Sequence, residues 1–177
     1  MQNLLPSGEW LMAAILGLHA SQVEEVCSKV KSGFIAVANY NTPEQIVISG
    51  EKNAIEEAET IAKEMGAKKV VILKTAGPFH TPKLLEATHA FKNDLEKIAF
   101  SELTVPVIKN LDGTVYKKED NIKEILEKHI ISPVKFSKSL ETMSNMGIDT
   151  FIEVGPGKTL SGFVKRMKLG TVLSSPI

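Results

Sequence analysis

The sequence predicts an α/β protein with two differently organised parts, and two patterns support this. From Trp10 to Leu73, short β-branched runs alternate with helical stripes in the order β-α-β-β-α-β. This order is that of the split βαβ, or ferredoxin-like, unit. After Lys74, helices alternate with apolar strands, which is typical of a parallel sheet covered by helices. We therefore expect a linker at residues 1–9, a small subdomain at residues 10–73 and part of a larger domain at residues 74–177.

The first part is predicted to hold four strands and two helices. The second helix is the clearest element, because Ala54, Ile55 and Ala58 begin an apolar stripe at helical spacing that continues to Met65. Gly66 is expected to end it. The strands are expected at Trp10–Leu18, Phe34–Asn39, Gln45–Ser49 and Lys68–Leu73, and the helices from a Ser21 cap to about Lys31 and at Glu51–Met65.

The second part is predicted to begin with a long helix and to end with a strand, a turn and a helix. Ser132 and Pro133 are residue types preferred at the N-cap and first position of a helix, which predicts a helix from there to about Met146. The tail, Gly170–Ile177, is compatible with a short strand. The other elements are a helix from about Lys83 to Ile98, a strand at Val105–Asn110, a turn at Asp112–Gly113, a helix at Ile122–Ile130, a strand at Thr150–Val154 and a helix around Thr159–Met167.

Composition limits the class of protein. Hydrophobic residues make up 43% of the chain and charged residues 24%, as in an ordinary soluble globular protein. Lys plus Arg equals Asp plus Glu at 21 each, and this zero net charge argues against a nucleic-acid or anionic-membrane binder. The first residues lack the basic region of a signal peptide, and the apolar run Leu11–Leu18 is too short to cross a membrane.

Cysteine and histidine usage argues against disulfides and zinc. The single cysteine, Cys27, cannot form an internal disulfide, and its place on a valine-rich helical face predicts a buried structural thiol. A reducing cytoplasm fits this usage. The four histidines, His19, His80, His89 and His129, include no H-x-x-x-H pair, so a zinc site is not expected. His89 falls off the apolar stripe of its helix and is expected to be exposed.

The stretch Lys74–Pro82, K-T-A-G-P-F-H-T-P, is the main candidate for a functional site. It follows the β-branched run Lys69–Leu73, and Gly77 and Pro78 force a turn before the next helix. In open α/β sheets, ligands bind at the carboxyl ends of strands. A neutral His80 at such a point could take a proton from a nucleophile. The alternative is a loop histidine that hydrogen-bonds to nearby backbone, and spacing alone leaves both open.

Two further features can each be interpreted either as structural or as functional. His129 shares a helical side with Ile125 and Leu126, so it faces inward, either as a core histidine or as a residue that lines a cleft. The G-P-G-K run at Gly155–Lys158 lacks the spacing of a phosphate-binding P-loop, which favours a tight strand-to-helix turn. A nucleophile elbow, G-x-S-x-G, is absent, because none of the 12 glycines is followed two places on by a serine.

Several sequence blocks in order resemble the malonyl-CoA:acyl-carrier-protein transacylase family. The blocks are M-A-A-I-L-G-L (12–18), V-A-N-Y-N-T-P-E-Q-I-V-I-S-G (37–50), G-A-K-K (66–69), G-P-F-H-T-P (77–82), S-P-V-K-F (132–136) and F-I-E-V-G-P-G-K-T-L-S-G-F-V-K-R (151–166). Full-length members place an α/β-hydrolase-like domain around a ferredoxin-like insert. The resemblance therefore implies a ferredoxin-like βαββαβ subdomain plus the C-terminal part of an α/β-hydrolase-like parallel-sheet domain.

The resemblance covers only the later part of the family's enzyme. The G-H-S-x-G elbow with its nucleophilic serine, and an arginine that pairs with the malonyl carboxylate, precede the block that begins here with Met1 and have no counterpart in these 177 residues. We expect that the chain alone is inactive. One partner consistent with this pattern is the missing N-terminal part, supplied as a separate chain. The alternative function is a catalytically inactive fragment or a module that binds carrier protein.

The family's site residues transfer to three positions. His80 matches the catalytic histidine, and Asn41 matches a cleft-facing asparagine expected to contact substrate. His129 stands where the family has a glutamine whose neighbourhood helps hold the base, and in the family a backbone carbonyl orients that base. The implied reaction moves malonyl from malonyl-CoA through a seryl ester to the phosphopantetheine thiol of an acyl carrier protein. It uses no metal or redox cofactor, and neither nucleic acid nor membrane is an expected partner.

Overall fold

The computed structural model describes residues 5–75 and 77–175, which form a mixed α/β structure. The strands are β1 (Trp10–Leu16), β2 (Ile35–Thr42), β3 (Gln45–Glu51), β4 (Lys69–Ile72), β5 (Thr150–Val154) and β6 (Thr171–Ser175). The helices are α1 (Ala20–Lys29), α2 (Lys52–Glu64), α3 (Leu85–Glu96), α4 (Ile122–Ile130), α5 (Phe136–Asn145) and α6 (Thr159–Met167), with a 3-10 turn at Pro82–Leu84 before α3. Across these described ranges, no helix combines the length and apolar content needed for a membrane crossing.

The first four strands form one antiparallel sheet in the order β2-β3-β1-β4. β1 pairs along its whole length with β3, from Trp10 opposite Glu51 to Leu16 opposite Gln45. The β-α-β-β-α-β element order predicted from the sequence is the order observed. Because the inner strands have neighbours on both sides, their backbone hydrogen bonds are satisfied within the sheet.

The helices α1 and α2 pack on one face of this sheet and enclose its main core. Ile15, Ile48 and Ile55 are fully buried there. The predicted apolar stripe of α2 is confirmed, since its buried residues include Ala54 and Ala58. Cys27 packs against the same core, and burial raises the pKa of its thiol to about 12, as expected for a structural cysteine.

The opposite face of the sheet receives the segment that follows β4. Met12, Ala14, Ala38 and Val47 form an apolar cluster on this face, and Phe79 packs against it. This contact places the turn that contains His80 directly on the sheet.

Among its described residues, the second part contains a parallel strand pair and the helices α3 to α6. β5 and β6 pair in parallel register, so the tail strand considered from the sequence is present. α5 and α6 cover this pair with a small core of Leu140, Phe163 and Val164. Large exposed apolar side chains concentrate in this half of the chain, among them Ile152 and Val154, which are 63% and 65% exposed.

The predicted strand at Val105–Asn110 is wrong. The stretch is irregular, and its only ladder contact among the described residues is the isolated pairing of Ile108 with Val115. Val105 is 65% exposed. Two backbone hydrogen bonds flank this pairing, from the Lys109 N–H to the Thr114 carbonyl at 2.8 Å and from the Tyr116 N–H to the Val107 carbonyl at 2.9 Å. A regular strand needs a longer ladder of bonds, and no described strand lies along this run.

The helix start predicted at Ser132 and Pro133 is also wrong, because α5 begins at Phe136. The residues before it are extended and pair with β2. The Val134 N–H donates to the Ala38 carbonyl at 2.9 Å, and the Tyr40 N–H donates to the Val134 carbonyl at 2.8 Å. Backbone groups used in this pairing cannot form the first turn of a helix. The remaining differences are shifts of a few residues at element ends.

Candidate active site

The turn that holds His80 is fixed by its own hydrogen bonds. His80 has φ of +58°, in the left-handed region that few residues other than glycine adopt. The fully buried Thr81 donates its hydroxyl to the Pro78 carbonyl at 2.7 Å and accepts from the Lys83 N–H at 3.4 Å. Unusual backbone angles of this kind cost free energy and occur often at functional sites.

A backbone carbonyl from α4 holds the imidazole of His80. Nδ1 of His80 lies 3.2 Å from the carbonyl oxygen of His129, and in the matching tautomer Nδ1–H donates to that oxygen. This contact occupies Nδ1 and leaves the lone pair of Nε2 as a proton acceptor. The resemblance implies the same type of backbone support for a catalytic histidine.

The ring of His129 also contacts His80. The two ring centroids are 5.1 Å apart and the planes differ by 30°, so the imidazoles are stacked. Nε2 of His129 is buried and has no hydrogen-bond partner among the described residues. The structure thus joins two of the three predicted site residues, and the inward position of His129 is confirmed.

Both imidazoles favour the neutral form. Burial lowers the pKa of His80, and hydrogen bonding to the backbone of His129 and Ser132 partly opposes this. Burial likewise lowers the pKa of His129, and the positive charge that His80 can carry lowers it further. A neutral imidazole with a free Nε2 is the form that can accept a proton at neutral pH.

A cavity of about 360 Å³ opens beside the two rings, between α3 and α4. Its walls are mainly apolar and include Phe79, Ala87 and Phe91. Among the described residues that line it, Asp94 is the acidic one. The sequence reasoning did not single out this wall, although Ala87, Phe91 and Asp94 recur at helical spacing along α3 and would have indicated one shared face.

Asn41 is not among the described residues that line this cavity. It lies in β2 at a break in the strand register. Tyr40 pairs with Ile46 and Thr42 pairs with Gln45, which leaves Asn41 as the extra residue of a bulge. Bulges redirect side chains and are frequent next to active sites.

The other predicted features have structural roles. His89 is exposed on α3, as expected. The turn after β5 contains Gly155 and Gly157 at positive φ, and the carboxylate of Glu153 accepts hydrogen bonds from the N–H groups of Leu160 and Ser161 at 3.1 and 2.8 Å. The carboxylate of Glu153 thus fills the anion-binding position at the N-terminus of α6. The G-P-G-K run therefore serves as a strand-to-helix turn, as the sequence favours. Within residues 5–75 and 77–175, no three His, Cys, Asp or Glu side chains group as a metal site.

Comparison with known families agrees with this fold. Residues 7–168 match the family model described as the acyl transferase domain. The chain belongs to this acyl transferase family. Acyl transferase relatives named malonyl CoA-acyl carrier protein transacylase include one from Bacillus subtilis, 41% identical over 169 residues, which are 94% of this chain and 53% of the relative. One from Staphylococcus aureus is 37% identical over 177 residues, or 99% of this chain and 58% of the relative.

Solved acyl transferase structures are also similar. The malonyl CoA-acyl carrier protein transacylase of Clostridium perfringens has a TM-score of 0.93 at 41% identity, covering 99% of this chain and 56% of that protein. A malonyl-transacylase in complex with its type II PKS acyl carrier protein has a TM-score of 0.90 at 29% identity, covering 99% and 57%. The chain spans about half the length of the curated relatives it matches.

Proposed function

We propose that this chain supplies the general base of a malonyl-CoA:acyl-carrier-protein transacylase. The observation that carries the proposal is the backbone contact between His80 and His129, because it occupies Nδ1 and leaves Nε2 as the proton acceptor of a ring that lines a cavity. The family assignment supports the same chemistry. On this proposal, residues 10–73 correspond to the ferredoxin-like insert, and residues 74–177 correspond to the C-terminal part of an α/β-hydrolase-like domain.

The first half-reaction would acylate a serine. His80 takes the proton of the serine hydroxyl while the oxygen attacks the thioester carbonyl of malonyl-CoA. The carbon–oxygen bond forms, the carbon–sulfur bond breaks, and the imidazolium passes the proton to the leaving thiolate. The serine comes from a segment outside these 177 residues, which contain no G-x-S-x-G.

The second half-reaction would transfer the acyl group to the carrier protein. His80 takes the proton of the phosphopantetheine thiol, the sulfur attacks the seryl ester, and the serine oxygen recovers the proton. Atoms and electrons balance with acyl and proton transfer alone, so this chemistry calls for no metal or redox cofactor. The proposed partners are malonyl-CoA and an acyl carrier protein.

The other two site residues would support these steps. The His129 carbonyl keeps Nδ1 of His80 protonated and the ring oriented, which is the task of the third group in a catalytic triad. Asn41 is proposed to contact substrate from its bulge in β2, on the argument that bulges redirect side chains.

The test uses a hybrid protein in which these 177 residues replace the matching part of the Bacillus subtilis relative. Radiolabelled malonyl-CoA should form a hydroxylamine-sensitive ester that then passes to the carrier-protein thiol. His80→Ala should slow acylation by about 10² or more, the scale of general-base loss. His89→Ala is the matched control, since His89 is exposed on α3, and it should leave the rate unchanged. An unaltered rate in His80→Ala would reduce His80 to a loop histidine.

A second candidate function is a non-catalytic module that binds an acyl carrier protein. The absence of G-x-S-x-G from the chain favours it. A hybrid protein that binds carrier protein but forms no seryl ester would support this alternative.

A further inference from the structure

The imidazole ring of His129 has no part in the steps above, which use only its backbone carbonyl. The ring is nevertheless half-buried against His80, and its Nε2 has no hydrogen-bond partner among the described residues. A buried polar nitrogen without a partner costs free energy, so its position against the base needs an explanation.

The explanation lies in the contact between the two ring faces. Their centroids are 5.1 Å apart, which is inside the distance of about 6 Å at which a cation is attracted by an aromatic face. His80 becomes a cation each time it accepts a proton. The attraction is larger where water is partly excluded, as it is at this half-buried pair.

We propose that the neutral imidazole of His129 stabilises the imidazolium that His80 forms in each half-reaction, which makes His129 a positioning residue for the base. This inference rests on the proposed function for its place in catalysis. The ring and the carbonyl of one residue would then act together on His80, the carbonyl through Nδ1 and the ring through the face.

The charges near the pair are compatible with a neutral His129. Burial and the charge on His80 both lower the pKa of His129, which favours the neutral form of His129 while His80 carries a proton. Asp94 of α3 lines the same cavity as the two rings. Glu127 of α4 is paired with Lys92 of α3, and the charged atoms of the two side chains are 3.9 Å apart. The segment after α4, which contains Ser132, has no charged residue before Lys135. These groups stay constant when only the His129 side chain is replaced.

The test compares His129→Phe with His129→Leu in the 177-residue chain. Both side chains exclude water and leave the backbone carbonyl in place, but only phenylalanine keeps an aromatic face. The proton affinity of His80 is measured from the pH titration of its ring resonances by NMR. We expect the Phe variant to retain the wild-type affinity and the Leu variant to bind the proton about threefold or more weakly.

Equal proton affinity in the two variants would overturn the proposal. A second measurement needs no variant: in the wild-type chain, ring nitrogen shifts should show that His80 takes the first proton while His129 stays neutral. First protonation at His129 would also overturn it. Because the titration reads only the ring pair, it can succeed even if the hybrid protein shows no acyl transfer, and the two proposals fail separately.

Discussion

Replacing Val47 by alanine should destabilise the protein far more than the same replacement at Val105. Val47 is 3% exposed in the inner strand β3 and belongs to the cluster on which Phe79 packs. The two deleted carbons contribute about 0.8 kcal/mol each. The cavity left behind adds to this, for a total of about 2–3 kcal/mol.

The matched substitution, Val105→Ala, removes the same two carbons from a side chain that is 65% exposed. Its expected cost is within about 0.5 kcal/mol, as for most surface positions. Urea unfolding can be followed by the fluorescence of Trp10, the only tryptophan, whose ring packs edge-on against Phe34. With a urea slope of about 1–3 kcal/mol per molar, Val47→Ala should lower the midpoint by about 0.7–3 M.

Hydrogen exchange provides an independent reading of the same difference. Amides in Phe34–Ser49 should be strongly protected, and those in Val105–Asn110 weakly protected, because local openings occur where few buried contacts are lost. Equal losses for the two valine variants, or equal and high protection in both stretches of a confirmed monomer, would refute the reasoning. A loss at Val105 as large as the one expected at Val47, or equal and high protection, would mean that the stretch around Val105 is packed.

Two further predictions concern covalent labelling by malonyl-CoA and the pH dependence of stability. The 177-residue chain alone should take no hydroxylamine-sensitive label from radiolabelled malonyl-CoA, since nucleophile and base act as a unit; a stable label would show that another residue serves as nucleophile. Stability should fall as pH decreases below about 6.5, because the unfolded chain binds protons at the ordinary histidine pKa of 6.5 and the buried, folded His80 binds them only at lower pH. The contribution of His80 to stability is complete above pH 6.5 and is lost as the pH falls through the folded pKa. His80→Asn should therefore flatten the pH dependence of the urea midpoint. An unchanged dependence in this variant would contradict the prediction.

Local patterns in the sequence were sufficient to predict most elements. The α2 stripe, β5 and α6 were recovered because periodicity follows from which face of an element is buried. The strand predicted at Val105–Asn110 is absent from the described structure for a physical reason. Apolar β-branched residues indicate a capacity to pair, whereas a strand also needs a neighbour that supplies its hydrogen bonds.

The sequence by itself determined the element order of the first part and marked His80 as the residue to examine. The family resemblance implied that a backbone carbonyl orients this base, and only the tertiary structure showed which carbonyl it is. The carbonyl that holds Nδ1 comes from a residue 49 positions away, and Val134, close to that carbonyl, pairs with β2 instead of starting a helix. Contacts between residues so distant depend on how whole elements pack, and helical or strand periodicity carries no information about them. For the same reason the stack of His129 on His80 could be recognised only in three dimensions.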